Sequence, residues 1–190
     1  NSPIVMDDGF QNPRINKDIS ILVFDEALGY GNGFLLPAGP LREPRRAATK
    51  ADAIVVIKNN RAKKKFKLPD NVPVFYATNT TMSPYDDTQR IVAFAGIGYP
   101  KKFFRALGKS VVARRSFPDH WQYTDEDIEK LFMLAEKKKA VLLTTEKDWV
   151  RLPEYARNKI KYARLDTTIE NGFFDWLKEK LKDVNAGKKN

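Results

Sequence analysis

The sequence has no cysteine, a single histidine and no apolar run long enough to span a bilayer. Without cysteine, disulfides and thiolate metal sites are excluded. A further absence bears on function. No G-x-x-x-x-G-K-S/T phosphate loop occurs anywhere in the 190 residues.

Charge of one sign is in excess. There are 34 Lys+Arg against 24 Asp+Glu, a formal net charge of +10. A basic balance favours anionic partners: nucleic acid, phosphorylated substrates or an anionic membrane surface. The excess is clustered at Arg61 to Lys67, at Lys137 to Lys139 and in the Lys-Lys-Asn190 tail. Taken alone, each run also reads as solvated surface.

Short apolar runs at Ile19 to Phe24, Ala53 to Ile57, Val72 to Tyr76, Ile91 to Ala95, Val111 to Ala113, Ala140 to Leu143 and Ile160 to Ala163 read as strands. Several are almost continuously Val, Ile, Leu, Phe and Ala, the pattern of strands buried on both faces. Ile4 to Met6 reads as the end of a further strand, with Asp7 and Asp8 directly after it and Gly9 turning the chain away. Pro100 opens a helix that runs to Leu107 and stops at Gly108. A capping box, Thr124-Asp-Glu-Asp127, opens another to about Lys138, with Ile128, Leu131, Phe132 and Ala135 as its buried stripe. Phe173, Phe174, Leu177 and Leu181 stripe a last helix, and Glu43 to Ala51 holds a short one. Strands alternating with helices predict an α/β fold with a three-layer, mostly parallel sheet covered by helices. The sequence predicts one domain over 1–184 and a disordered basic tail over 185–190.

Five stretches carry chemistry. Asp7 and Asp8 are acids of the kind that hold Mg²⁺ at a strand end in phosphoryl-transfer proteins, although Asp and Gly are also common turn residues. Gly29 to Arg46 is a long loop rich in glycine and proline that ends in Arg42 and Glu43. Arg suits bidentate phosphate contacts and a neighbouring carboxylate suits Mg²⁺. Gly96-Ile-Gly98 follows a strand and precedes a helix. A dinucleotide fingerprint would need glycine at position 101, which is Lys101. Phe117-Pro-Asp-His120 holds the histidine between a strand and a capped helix. Thr144-Thr-Glu-Lys-Asp148 follows a strand, and its Thr145 and Asp148 form a second capping box. Lys147 at that helix start can face a phosphate.

Read together, Asp-Asp-Gly-Phe-Gln, Leu-Leu-Pro-Ala-Gly-Pro-Leu-Arg-Glu-Pro, Ala-Phe-Ala-Gly-Ile-Gly, Phe-Pro-Asp-His and Thr-Thr-Glu-Lys-Asp resemble the tetraacyldisaccharide 4'-kinases, the lipid A kinases of Gram-negative bacteria. The match covers most of Met6 to Arg151. The resemblance implies a P-loop-type fold at the cytoplasmic face of the inner membrane. It implies transfer of the γ-phosphate of ATP to the 4'-hydroxyl of a lipid A disaccharide precursor, with ATP and Mg²⁺ as cofactors. By residue, it implies Asp7, Asp8 and Glu43 as metal ligands and Asp8 and His120 as catalytic groups. It also implies Arg42 at the nucleotide, where the residue reading adds Lys147, and Gln11, Asn12 and Arg42 at the substrate. The aspartate that pairs with the family's histidine, the phosphate loop and an amino-terminal membrane helix belong to an amino-terminal half that is expected to be missing here. Asn12, Tyr99 and Trp121 stand where the family usually has His, Asn and His.

Two functional classes follow. One is the carboxyl-terminal portion of such a kinase, acting with its amino-terminal P-loop half at an anionic membrane surface and with no nucleic-acid partner. The other is a non-catalytic basic module that binds anionic membrane or nucleic acid.

Overall fold

The computed structural model describes residues 3–59 and 66–187. Arg61 to Lys65 of the first basic run, and Lys188 to Asn190 of the tail, lie outside the described residues. By its contacts the chain divides into two compact units, where the sequence reading expects a single domain. The first is Asn1–Asn79 with Thr167–Asn190, and the second is Thr80–Asp166. The strands in chain order are β1 (Ile21–Asp25), β2 (Ala53–Ile57), β3 (Val74–Met82), β4 (Ile91–Ala95), β5 (Val111–Ser116), β6 (Val141–Thr145) and β7 (Lys161–Ile169). The helices are α1 (Pro100–Ala106), α2 (Asp125–Lys138), α3 (Glu146–Trp149), α4 (Glu154–Arg157) and α5 (Gly172–Gly187).

In the second unit β4 is central, pairing in parallel with β5 on one side and β6 on the other, and β6 pairs in parallel with β7. All five β4 residues are buried. Val92 and Phe94 face a core built with Ile128, Leu131 and Ala135 of α2. Ile91, Ala93 and Ala95 face the opposite core, with Phe103 and Phe104 of α1. A strand covered by a helix on each face has no polar side to show, which is why Ile91 to Ala95 reads as one unbroken apolar run.

The first unit repeats the arrangement. β2 pairs in parallel with β1 and β3. Ile54 and Val56 pack under Ala51, Leu68 and Val72, while Val55 packs with Phe173, Trp176 and Leu177 of α5. Most of the sequence-predicted strands and helices are therefore found, in a mostly parallel, helix-covered sheet.

Four details differ from the sequence reading. Ile4 to Met6 forms no strand, and Ile4 and Val5 are 96% and 91% exposed. Extended residues become a strand only when their N–H and C=O groups pair with a neighbour, and among the described residues none pairs with these. The site acids Asp7 and Asp8 accordingly lie in a turn rather than at a strand end. The strands β3 and β7 run to Met82 and Ile169, well beyond their apolar starts, because β-branched Thr78, Thr80, Thr81, Thr167 and Thr168 suit a half-exposed pleated surface. Glu43 to Ala51 holds a 3₁₀ turn, Arg45–Lys50. Finally, α5 continues to Gly187, past Asn185 where the sequence reading begins a loose tail.

The second unit's stability is expected to respond to two separable features of α2. Both parts of its capping box form, with Asp127 N donating to Thr124 Oγ1 at 3.2 Å and Thr124 N donating to Asp127 Oδ2 at 3.1 Å. Thr124→Ala should lower unfolding free energy by about 1 kcal/mol. Leu131→Ala, which empties a fully buried position, should lower it by about 2–5 kcal/mol. Denaturant titrations followed by circular dichroism measure both, and equal losses would mean that packing under α2 is loose.

Candidate functional site

In the second unit three chemistry-bearing loops leave the carboxyl ends of neighbouring parallel strands. Gly96 to Tyr99 follows β4, Phe117 to Tyr123 follows β5 and α3 follows β6. Open parallel sheets bind ligands at that edge. The β5 loop is held at both ends. Phe117 N donates to Ala95 O at 2.9 Å, and the Phe117 and Tyr123 rings meet Phe94 edge-on at 6.4 and 5.6 Å. His120 sits on the loop between these anchors.

Gly96 joins the loops. Its carbonyl accepts hydrogen bonds from His120 N at 3.1 Å and Arg151 Nη1 at 3.4 Å. A Cβ at this position would lie 3.0 Å from Pro118 O and 3.2 Å from both Asp148 Oδ1 and Trp121 Cβ. Only glycine lets the three segments approach this closely.

His120 has φ 60°, in the left-handed region, and its ring is largely exposed. Its Nδ1 lies 3.0 Å from Arg151 Nη2. Its Nε2 is 3.9 Å from Asp119 Oδ2, an ion pair when the ring is protonated. Arg151 is mostly buried and also lies 3.6 Å from Asp148 Oδ1. Asp148 is wholly buried. Its Oδ2 accepts from Thr145 Oγ1 at 2.7 Å, while Thr145 Oγ1 accepts from Asp148 N at 3.2 Å, so Thr145 caps α3 through its side chain, one half of the capping box that the sequence predicts. Asp148 Oδ1 and the Tyr123 hydroxyl are buried without a hydrogen bond among the described residues. Burial pushes the Tyr123 phenol well above its ordinary value, and the Asp148 carboxylate pushes it further. Tyr123 therefore stays neutral at any physiological pH. Lys147, on the first turn of α3, is exposed.

In the first unit the turn after Met6 meets the long loop after β1. Arg42 Nη1 donates to Asp8 Oδ2 at 2.6 Å, an ion pair between two exposed side chains. Asp8, like His120, has a left-handed backbone, φ 52°. Asp7 beside it is exposed, and Glu43 is half-buried. Gln11 Oε1 is buried and has no hydrogen bond among the described residues. Asn12 is engaged locally: its Oδ1 accepts from Arg14 N at 3.0 Å and its carbonyl accepts from Lys17 Nζ at 2.6 Å.

The structure thus brings Asp8 to Arg42, and His120 to Arg151 and Gly96. It does not gather Asp7, Asp8 and Glu43 into a three-carboxylate group; no such metal-binding cluster of His, Cys, Asp or Glu occurs among the described residues. Mg²⁺ does not require one. It commonly takes one or two carboxylates and completes its shell with water and substrate phosphates. The all-oxygen donor set of Asp7, Asp8 and Glu43 fits that demand.

Arg151 and Asp148 are the neighbours that sequence reading missed as site residues. The available signal was their i, i+3 spacing across a capped turn, which aligns an acid and a base on one helical face.

A model of the family described as tetraacyldisaccharide-1-P 4'-kinase matches residues 1–182. A tetraacyldisaccharide 4'-kinase of Paramagnetospirillum magneticum is 44% identical over 164 residues, covering 83% of this chain and 50% of that protein. One from Rickettsia typhi is 37% identical over 183 residues, covering 94% of this chain and 56% of that protein. Among solved structures, LpxK from Aquifex aeolicus in complex with ATP superposes with a TM-score of 0.67 at 26% identity, over 93% of this chain and 56% of that one. The chain therefore spans about half the length of the curated relatives it matches.

The contacts at Gly96 leave a side chain there tightly crowded. Gly96→Ala should destabilise the second unit by about 1–3 kcal/mol through overpacking. It should also shift the amide resonance of His120, because that N–H is bonded to the Gly96 carbonyl. A variant with wild-type stability and an unmoved His120 amide would show that the three loops are not tightly joined.

Proposed function

The chain belongs to the tetraacyldisaccharide-1-P 4'-kinase family, and we propose that it carries much of the catalytic site of an ATP-dependent lipid kinase. The proposed reaction moves the γ-phosphate of ATP to the 4'-hydroxyl of a tetraacyl disaccharide 1-phosphate. The observation that carries the reading is the meeting of three family motifs on Gly96, at the carboxyl ends of β4, β5 and β6. In this reading Asp7, Asp8 and Glu43 hold Mg²⁺, which neutralises charge on the β- and γ-phosphate oxygens when bound. Arg42, whose Nη1 now donates to Asp8, reaches a phosphate instead, since a guanidinium donates to carboxylate and phosphate oxygens alike. Lys147 supplies a second cation to the nucleotide. Gln11 and Asn12 contact the acceptor, and the buried, unbonded Oε1 of Gln11 supports that role. His120 assists the carboxylate that takes the proton of the attacking hydroxyl, and Asp8 stands at the reacting phosphate.

The acceptor is a lipid, so the same reading puts the protein at the cytoplasmic face of an inner membrane, against anionic headgroups. No helix among the described residues is long and apolar enough to cross a membrane. Peripheral attachment is supported by the loop between β1 and Arg42. It exposes Phe34 (63%) and Leu36 (63%) beside a basic stretch, Arg42, Arg45 and Arg46. Apolar side chains flanked by cations suit the boundary between headgroup and acyl chain.

Two experiments test this. The first is a chimera in which this chain replaces the matched part of the Paramagnetospirillum magneticum kinase, assayed for phosphate transfer from ATP to the disaccharide. His120→Ala should lower kcat about 10²–10⁴-fold with little change in KM. Asp8→Ala should be at least as damaging. A His120→Ala enzyme that is less stable but fully active would remove His120 from the catalytic set. The second is cosedimentation with phosphatidylglycerol vesicles. Neutralising the Arg61 to Lys67 run should weaken binding by about 1 kcal/mol per charge near the surface, and added salt should weaken it further. Binding that ignores both would leave the basic runs as solvated surface.

A further inference from the structure

We propose that Arg151 is a positioning residue that fixes the tautomer and ring orientation of His120, leaving its Nε2–H as a preset donor to an anionic oxygen. The identity of that oxygen, a catalytic carboxylate or a phosphate, rests on the kinase reading above; the tautomer does not.

A guanidinium has five N–H donors and no acceptor, and does not lose its proton in proteins. At 3.0 Å from Arg151 Nη2, the Nδ1 of a neutral His120 must therefore be the bare, accepting nitrogen. The ring proton is then on Nε2. The other contacts of Arg151 are longer: 3.4 Å from Nη1 to Gly96 O and 3.6 Å from Nη1 to Asp148 Oδ1. The histidine contact is thus the best formed of the three, and Arg151 is more than a counter-ion for Asp148.

The base of the arginine is fixed by the fold. It leaves the turn after α3, whose cap is the Thr145–Asp148 pair, and its guanidinium is held over the Gly96 carbonyl. His120 is fixed through its backbone, since its N–H donates to the same carbonyl. Both partners are therefore referenced to one atom at the end of β4. The Nε2 edge is left open: the ring is 78% exposed, and Asp119 Oδ2 at 3.9 Å is too far for a hydrogen bond. A metal- or carboxylate-facing histidine gains directionality when its second nitrogen is held by another group. Here the holder is a donor, so the free edge must also donate.

The lone histidine makes the test unambiguous. Imidazole ¹⁵N shifts of the full chain, recorded at about pH 9 where unperturbed imidazole is neutral, report the ratio of the two tautomers. The expected Nε2–H to Nδ1–H ratio is about tenfold higher in the wild-type chain than in Arg151→Met, the scale of one charge-assisted hydrogen bond. Arg151→Lys, which keeps a cationic donor, should restore part of it. An unstructured peptide spanning Arg115 to Asp125 gives the unheld ratio without requiring any variant to fold. A wild-type ratio equal to that of the peptide overturns the proposal, as does a predominant Nδ1–H form. In the active chimera, Arg151→Met should lower kcat with KM little changed, and Arg151→Lys should recover part of the loss. An Arg151→Met chimera with unaltered kcat would show that the held tautomer is not used. A wild-type chimera without kinase activity would count against the kinase reading alone, because the ¹⁵N ratio in the chain decides the tautomer independently.

Discussion

The site in the second unit depends on one peptide carbonyl, that of Gly96. A strand buried on both faces ends there, and three loops reach the same point. The carbonyl has two lone pairs and uses both, for His120 N and Arg151 Nη1. The missing side chain matters equally, since Asp148, Trp121 and Pro118 crowd the position a Cβ would take. Because β4 is immobilised by cores on both faces, anything tied to its last residue inherits that rigidity. This is how a loop histidine with an exposed ring acquires a defined position.

Burying Asp148 carries the main energetic risk of this arrangement. An isolated carboxylate moved out of water is strongly destabilised unless paired and hydrogen-bonded. Oδ2 has the Thr145 hydroxyl, and Oδ1 has the 3.6 Å approach of Arg151. The guanidinium is thus divided among a buried charge, a peptide carbonyl and an imidazole. Removing it leaves Asp148 less compensated at the same time as it frees His120. A loss of function on its removal is ambiguous by itself, and only a property of the ring nitrogens separates the two effects.

Much of this was legible in the sequence, for identifiable reasons. Runs such as Ile91 to Ala95 announce two-faced burial, and Thr124-Asp-Glu-Asp127 and Thr145 with Asp148 announce helix starts because capping uses side chains close in sequence. The same locality explains the errors. Ile4 to Met6 is apolar enough for a strand, yet strand formation depends on a distant partner that the sequence does not display. The threonine-rich ends of β3 and β7 fail in the opposite sense, being strands without an apolar run. Arg151 was overlooked because its role depends on His120, 31 positions earlier, and on a carbonyl of a third segment. Asp8, Arg42 and His120 were recognisable as chemistry-bearing residues because reactive types cluster in short motifs. Their partners were not, since those are set by the fold.

Backbone conformation links the two candidate regions in a way that residue type does not. Among the described residues three non-glycine positions have positive φ: Asp8, His120 and Lys139. Lys139 is the C-cap of α2, where a left-handed residue closes the helix by bonding back to its last carbonyls. No helix end accounts for the other two. Asp tolerates this region better than most residues and His is also enriched there, yet each such position still costs about 1–3 kcal/mol when imposed by its surroundings. At His120 the imposing contacts are visible: its N–H is bonded to Gly96 O and its ring is held by Arg151. At Asp8 the visible contact is the ion pair with Arg42, which is exposed and, as a surface pair, contributes little. Such a pair does not over-determine a strained backbone. His120 is thus held at both its backbone and its ring, whereas Asp8 is presented by an exposed turn.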